Sequence, residues 1–229
     1  MDTINERIES IKHTIAKSAK VFGTSAEDID IVAVTKTVSP DIIQKAVDEG
    51  IHLVGENRVQ EAQRKIEKVQ GDFKWHLIGH LQRNKVKPAI DCFSIIQSLD
   101  SYELALSLDK AAQNINTTVN VLVQVNIGLE DTKYGINPSE ITDFVTRAAK
   151  LPNLKIKGLM SIPPFMEDPE KVRPFFKNMR QIFDDIKNRN IENVEMKHLS
   201  MGMTHDFAVA VQEGSNMVRI GTGIFGKRD

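Results

Sequence analysis

Eight short runs rich in β-branched residues, each followed by a segment of helical periodicity, constrain this chain more than any other feature. The runs lie at 31–36, 51–55, 74–79, 93–97, 119–125, 155–161, 194–200 and 217–221. Where their apolarity is continuous rather than alternating, they have the pattern of parallel strands covered on both faces. Helices are predicted between them at 40–49, 56–70, 83–90, 101–114, 138–151, 173–190 and 204–213. Ahead of the first strand, Ile4, Ile8, Ile11 and Ile15 recur at helical spacing among charged residues, so an amphipathic helix over about 2–20 is expected to cover the core. This alternation over 229 residues argues for an α/β fold in which one domain, 1–229, forms a closed (β/α)8 TIM barrel. An open doubly wound sheet shares the alternation and stays open on pattern alone.

The first strand, Ile-Val-Ala-Val-Thr-Lys, ends abruptly in Lys36, and Ser39-Pro40 just beyond it reads as an N-cap with proline at the first helical position. Lys36 is therefore expected where a strand hands over to a helix, the edge at which parallel α/β folds bind ligands. Apolar surroundings there would favour the neutral, nucleophilic amine. A solvated, snorkelling lysine is the competing reading of the same stretch.

Composition narrows the function classes. The chain carries 30 basic and 31 acidic residues, a net charge of -1, without a basic block, so it lacks the electrostatic footprint of a nucleic-acid binder. No apolar run approaches the ~18 residues of a membrane span, and 1–20 is charged throughout, unlike a signal peptide. The lone Cys92 excludes an intrachain disulfide or a multi-cysteine metal site and suits a reducing cytoplasm. His76 and His80 stand four apart, but on a strand and its exit rather than one helix face, so no metal site is expected.

In a barrel, the strand ends converge on one mouth. Here they supply Lys36, Glu56 and Asn57, His80, Asn126, Met160 and Ser161, Ser200 and Met201, and Arg219 to Gly223. The string Arg-Ile-Gly-Thr-Gly-Ile-Phe-Gly at 219–226 contains G-x-G-x-x-G, yet no strand and acidic residue follow as a dinucleotide fingerprint requires. Its physics survives: glycines let successive N–H groups face one concavity and bind a phosphate, and barrels often place such a site after the last two strands. An amine, a phosphate cup and an arginine together describe a site for a phosphorylated aldehyde.

Several strings also carry a resemblance: Val-Thr-Lys at 34–36, Gly-Glu-Asn at 55–57, Trp-His-Leu-Ile-Gly-His-Leu-Gln at 75–82, Gly-Leu-Met-Ser-Ile-Pro-Pro at 158–164, Leu-Ser-Met-Gly-Met at 199–203 and Val-Arg-Ile-Gly-Thr-Gly-Ile-Phe-Gly at 218–226. Across almost the whole chain it resembles the pyridoxal phosphate homeostasis family, barrels similar to the N-terminal domain of alanine racemase. The resemblance implies pyridoxal 5′-phosphate held covalently on Lys36 as an internal aldimine. It further implies Arg219 facing the pyridine nitrogen, Ser200 and the backbone of Gly221, Thr222 and Gly223 on the phosphate, and Asn57, Met160 and Ser161 lining the ring, with Met201 beside Ser200. Arg58 and Asn216 depart from the usual pattern, touching only the rim and a neighbouring loop.

The function so implied is a cytoplasmic coenzyme carrier without a reaction of its own, a monomer or weak dimer whose partners are the coenzyme and apo-forms of enzymes that use it. Two alternatives stay open: a racemase or decarboxylase dependent on the coenzyme, and an aldolase using Lys36 on a sugar phosphate. Against racemisation, an arginine keeps the ring nitrogen unprotonated, which alone does not forbid it. The acid/base needed opposite the lysine is in alanine racemase a tyrosine from a second domain, while these 229 residues are taken up by the barrel. Of the two tyrosines only Tyr134, in a predicted mouth loop, could take that role and favour the enzyme.

Overall fold

The computed structural model describes residues 2–226. Its eight strands are Asp30–Val34 (β1), Leu53–Glu56 (β2), Lys74–Leu77 (β3), Ile95–Leu99 (β4), Val119–Val125 (β5), Leu154–Ser161 (β6), Val194–Met203 (β7) and Met217–Ile220 (β8). All neighbours are parallel, and β1 pairs with both β2 and β8, closing the barrel in sequence order. The helices are Ile4–Phe22 (α1), Pro40–Asp48 (α2), Val59–Ile66 (α3), Val86–Cys92 (α4), Tyr102–Asn114 (α5), Ile141–Ala148 (α6), Arg173–Asn188 (α7), Phe207–Gln212 (α8) and Thr222–Phe225 (α9). The barrel was expected; the doubly wound alternative falls because β1 and β8 meet.

Two apolar layers follow from the alternation of side chains along each strand. Val32, Leu53, Leu122, Met160 and Met217 fill the interior of the barrel. The larger layer lies between strands and helices, where α2, α5 and α7 bury Ile43, Leu108 and Phe176. Helix α1 behaves as its isoleucine spacing predicts: Ile8, Ile11 and Ile15 are buried, and a Thr3–Glu6 capping box starts it. It packs against α8 and α9. Among the described residues no helix is long and apolar enough to cross a membrane.

Three boundaries differ from the sequence reading for identifiable reasons. Strand β1 stops at Val34, so Lys36 stands in a turn beyond it rather than at the strand's last position. Glu56, expected to open a helix, is the buried last residue of β2, because Lys65 reaches back to its carboxylate at 2.7 Å. The helix predicted over 83–90 reaches Cys92, because Pro88 lies in the first turn of α4, where backbone N–H groups have no intrahelical partner anyway.

Candidate functional site

Lys36 projects from the β1–α2 turn at the barrel mouth. It is exposed, and among the described residues its amine makes no hydrogen bond or ion pair. The desolvated surroundings expected of it are therefore not found, although its position is. Its neighbours are tightly held. The Thr35 hydroxyl donates to Glu56 Oε1 at 2.8 Å, and the Thr35 carbonyl accepts from Lys65 Nζ at 2.8 Å. The Thr37 N–H donates to Glu61 Oε1 at 2.6 Å. Burial pushes the Glu56 carboxyl above the usual carboxylate range, against the pull of Lys65 and Thr35.

Arg219 rises from β8 inside the barrel, where it is 3% exposed. Its Nη1 donates to Ser200 Oγ at 2.7 Å and its Nη2 to the Ser161 carbonyl at 2.8 Å. Burial pushes the guanidinium down to about 10, so it stays protonated at neutral pH. The Ser200 hydroxyl passes the chain on, donating to Gln97 Oε1 at 2.7 Å, while Gln97 Nε2 lies 3.0 Å from His76 Nδ1. Burial holds His76 down to about 3, with His198 and Lys74 adding to the effect; it is neutral, and Nδ1 accepts from Gln97. A hydrogen-bonded file thus crosses the barrel interior from β3 through β4 and β7 to Arg219.

The glycine turn after β8 is built differently from expectation. The N–H groups of Gly221 and Gly223 both point at Thr204 Oγ1, at 3.3 Å each, the long end of a hydrogen bond. A Cβ on Gly223 would lie 2.8 Å from Ile220 Cγ2 and 3.2 Å from Thr204 Cγ2, so the backbone approaches this closely only because the side chain is absent. Thr204 reaches the turn because β7 bends at Gly202, whose φ of 92° suits glycine and whose added Cβ would meet Ala210 Cβ at 2.5 Å. The β7–β8 register shifts between Ser200 and Met203 at the same bend.

On the far side of the mouth, His80 Nδ1 sits 2.7 Å from Asp100 Oδ2, and the Tyr134 ring stacks on the imidazole at 3.8 Å. An open cleft of about 1,090 Å³ runs outward from here, lined among others by Thr37, Asn57, Arg58, Gly79 and His80. Asn126 belongs to loop construction: its amide holds the Glu130 and Lys133 carbonyls.

Residues 7–229 match the family model described as alanine racemase, N-terminal domain. The pyridoxal phosphate homeostasis protein of Aquifex aeolicus (strain VF5) is 41% identical over 224 residues, covering 97% of each chain. The chain belongs to the pyridoxal phosphate homeostasis protein family. The family's Pasteurella multocida (strain Pm70) member is 36% identical over 230 residues, 99% of this chain and 98% of that one. Among solved structures, PipY of Synechococcus elongatus PCC7942 with PLP bound superposes with a TM-score of 0.85 at 30% identity, covering 98% of this chain and 100% of that one.

In this member of the pyridoxal phosphate homeostasis protein family, Lys36 and Asn57 stand just beyond the ends of β1 and β2 and the turn from Gly221 to Gly223 just beyond β8, while Arg219 and Met160 are buried in the barrel interior. Two expectations need correction. Met201 is completely buried among the side chains between barrel and helices, so that side chain does not line the mouth. The Ser200 hydroxyl is committed between Gln97 and Arg219, and the hydroxyl at the glycine turn is that of Thr204, which sequence reading treated only as a helix start. Gln97 was likewise read only as the end of a strand. Of the two departures from the family pattern, Arg58 lines the rim cleft, and Asn216 ties β7 by accepting from the Leu199 N–H at 2.7 Å.

Proposed function

We propose that the chain binds pyridoxal 5′-phosphate at this mouth and buffers it or delivers it to apo-forms of enzymes that use it, without turnover of its own. One observation carries the reading: an amine without a partner among the described residues follows β1, and two N–H groups aimed at one point follow the adjacent β8 with its buried guanidinium, in a chain 30% identical to a protein solved with PLP bound. The Ser161 hydroxyl, buried and without a partner among the described residues, is a further polar group that a ligand would satisfy.

When bound, the coenzyme supplies an aldehyde, a pyridine nitrogen and a phosphate. Lys36 offers the amine that bonds covalently to the aldehyde carbon. Arg219, oriented by Ser200 and the Ser161 carbonyl, presents an N–H to the nitrogen and, remaining charged, leaves it unprotonated. Gly221, Thr222 and Gly223 with the Thr204 hydroxyl would hold the phosphate, the N–H groups of Gly221 and Gly223 and the hydroxyl supplying its donors. Asn57, Met160 and Ser161 line the ring. The carrier reading is favoured over the racemase because two-base racemisation needs a second acid/base on the face opposite the lysine, whereas Tyr134, the tyrosine near the mouth, is exposed with its ring stacked on His80. Adding the coenzyme should give a yellow protein, and mixing this with an apo-enzyme should restore that enzyme's activity as the colour fades. Colour in Lys36→Ala equal to the parent, or no transfer to any acceptor, would remove the reading.

A further inference from the structure

Among the described residues Lys36 makes no polar contact, yet the residues on either side of it are anchored to a single ion cluster in which Glu56 and Lys65 are buried and Glu61 is partly exposed. Lys65 Nζ donates to Glu56 Oε1 and to Glu61 Oε1, both at 2.7 Å, and to the Thr35 carbonyl. Through Glu56 the cluster holds the Thr35 hydroxyl and, at 3.3 Å, the Asn57 N–H; through Glu61 it holds the Thr37 N–H. Both residues assigned to the coenzyme on this side of the mouth, Lys36 and Asn57, are therefore fixed by the same three charges.

The backbone explains why such an anchor is needed. Thr37 has φ of 61°, a left-handed conformation that a β-branched residue rarely adopts. Strain of that kind persists only where surrounding contacts over-determine it. The turn is closed by the Val38 N–H donating to the Thr35 carbonyl at 2.9 Å, and the strained residue itself is held by the Glu61 carboxylate on the Thr37 N–H, with Glu61 in turn held by Lys65. Without the carboxylate the Thr37 peptide is free to relax within the turn, and the root of the Lys36 side chain moves with it.

The geometry points to Lys65, Glu56 and Glu61 as positioning residues that set the rate at which Lys36 captures an aldehyde, separately from the affinity of the phosphate cup across the barrel. The inference rests on the reading of Lys36 as the coenzyme lysine. In the step concerned, the Lys36 amine attacks the aldehyde carbon, a C=N bond forms, and the carbonyl oxygen leaves as water with the two amine hydrogens; no oxidant or reductant takes part. Attack requires a near-attack geometry, and small misplacement costs rate by orders of magnitude.

The test uses Glu61→Ala and Glu61→Gln in the full chain, because Glu61 lies on the partly exposed face of α3 and its loss leaves the Lys65–Glu56 pair intact. Glu61→Ala should slow the second-order appearance of the yellow colour roughly tenfold or more. Glu61→Gln, which keeps an oxygen for the Thr37 N–H, should restore most of it. Binding of pyridoxine 5′-phosphate, which has no aldehyde, should stay at the parent's affinity in both. In the ligand-free protein, amide exchange at Thr37 should speed up in Glu61→Ala and return in Glu61→Gln. Lys65→Met, where folded by circular dichroism, should show the larger defect. Parent-rate capture in Glu61→Ala, failure of Glu61→Gln to rescue, or a parallel loss of pyridoxine 5′-phosphate affinity would overturn the inference. Undiminished capture by Lys36→Ala would instead remove the underlying reading of Lys36.

Discussion

Ser200→Ala should destabilise the fold while sparing the phosphate cup, and Thr204→Val should do the opposite. Ser200 Oγ satisfies two buried groups at once, Gln97 Oε1 and the Arg219 guanidinium, each at 2.7 Å. Replacing it by a methyl leaves both facing apolar surroundings. A buried unsatisfied group costs about 1–3 kcal/mol, more when charged, so the loss is on the order of 3–5 kcal/mol. A water entering the small space would bring it to the lower end. At about 2–4 °C per kcal/mol for a chain of this size, the thermal midpoint should fall by roughly 6–20 °C. Thr204, half-buried at the mouth, makes only two long contacts with the glycine turn. Its valine variant should unfold near the parent temperature. That variant should nevertheless lose about 1.5–3 kcal/mol of affinity for pyridoxine 5′-phosphate, roughly ten- to a hundredfold in Kd. Thermal unfolding and calorimetric titration of both variants decide it. A Ser200→Ala protein of parent stability with weakened phosphate affinity would refute the assignment of the two hydroxyls.

Three further outcomes follow from the geometry. His76 is held down to about 3 in the fold against 6.5 in the unfolded chain. Between those values the unfolded state binds the extra proton, so stability falls as pH is lowered by up to about 1.4 kcal/mol per unit; His76→Gln should flatten that slope in denaturant titrations, and an unchanged slope would contradict the burial argument. Gly202→Ala places a Cβ 2.5 Å from Ala210 Cβ at φ 92°, so it should cost on the order of 3 kcal/mol in urea titrations and weaken phosphate binding by displacing Thr204. Exchange of an amino acid's α-proton into deuterated water should be slow or absent; turnover at about 1 per second or faster that vanishes in Tyr134→Phe would make the chain an enzyme, with Tyr134 stacked on His80 as its acid/base.

The barrel was legible because strand after strand is apolar enough to require cover on both faces, with helical segments between to supply it. Lys36 and Arg219 stand out as candidates for the same reason: each is a charge next to or within a run that otherwise excludes charge. What stayed hidden depends on where a strand bends. Ser200 and Thr204 are hydroxyls four residues apart, and only the bend at Gly202 decides which one faces the barrel interior and which reaches the glycine turn. Glu56 read as a helix start because its partner Lys65 is nine residues away, and no local pattern announces a buried ion pair across a strand and the following helix. Gln97 was missed since its partners, His76 and Ser200, come from other strands. Met201 was placed at the mouth by adjacency to Ser200, although alternation along β7 turns it to the helix layer.

The central claim, that Lys36 is the residue joined to pyridoxal 5′-phosphate, is tested most directly by borohydride reduction of the coenzyme-treated protein followed by peptide mass spectrometry. A pyridoxyl adduct is expected on the peptide containing Lys36, in stoichiometric amount and absent from Lys36→Ala. An adduct confined to any other lysine, or spread over several in proportion to their exposure, would contradict the account.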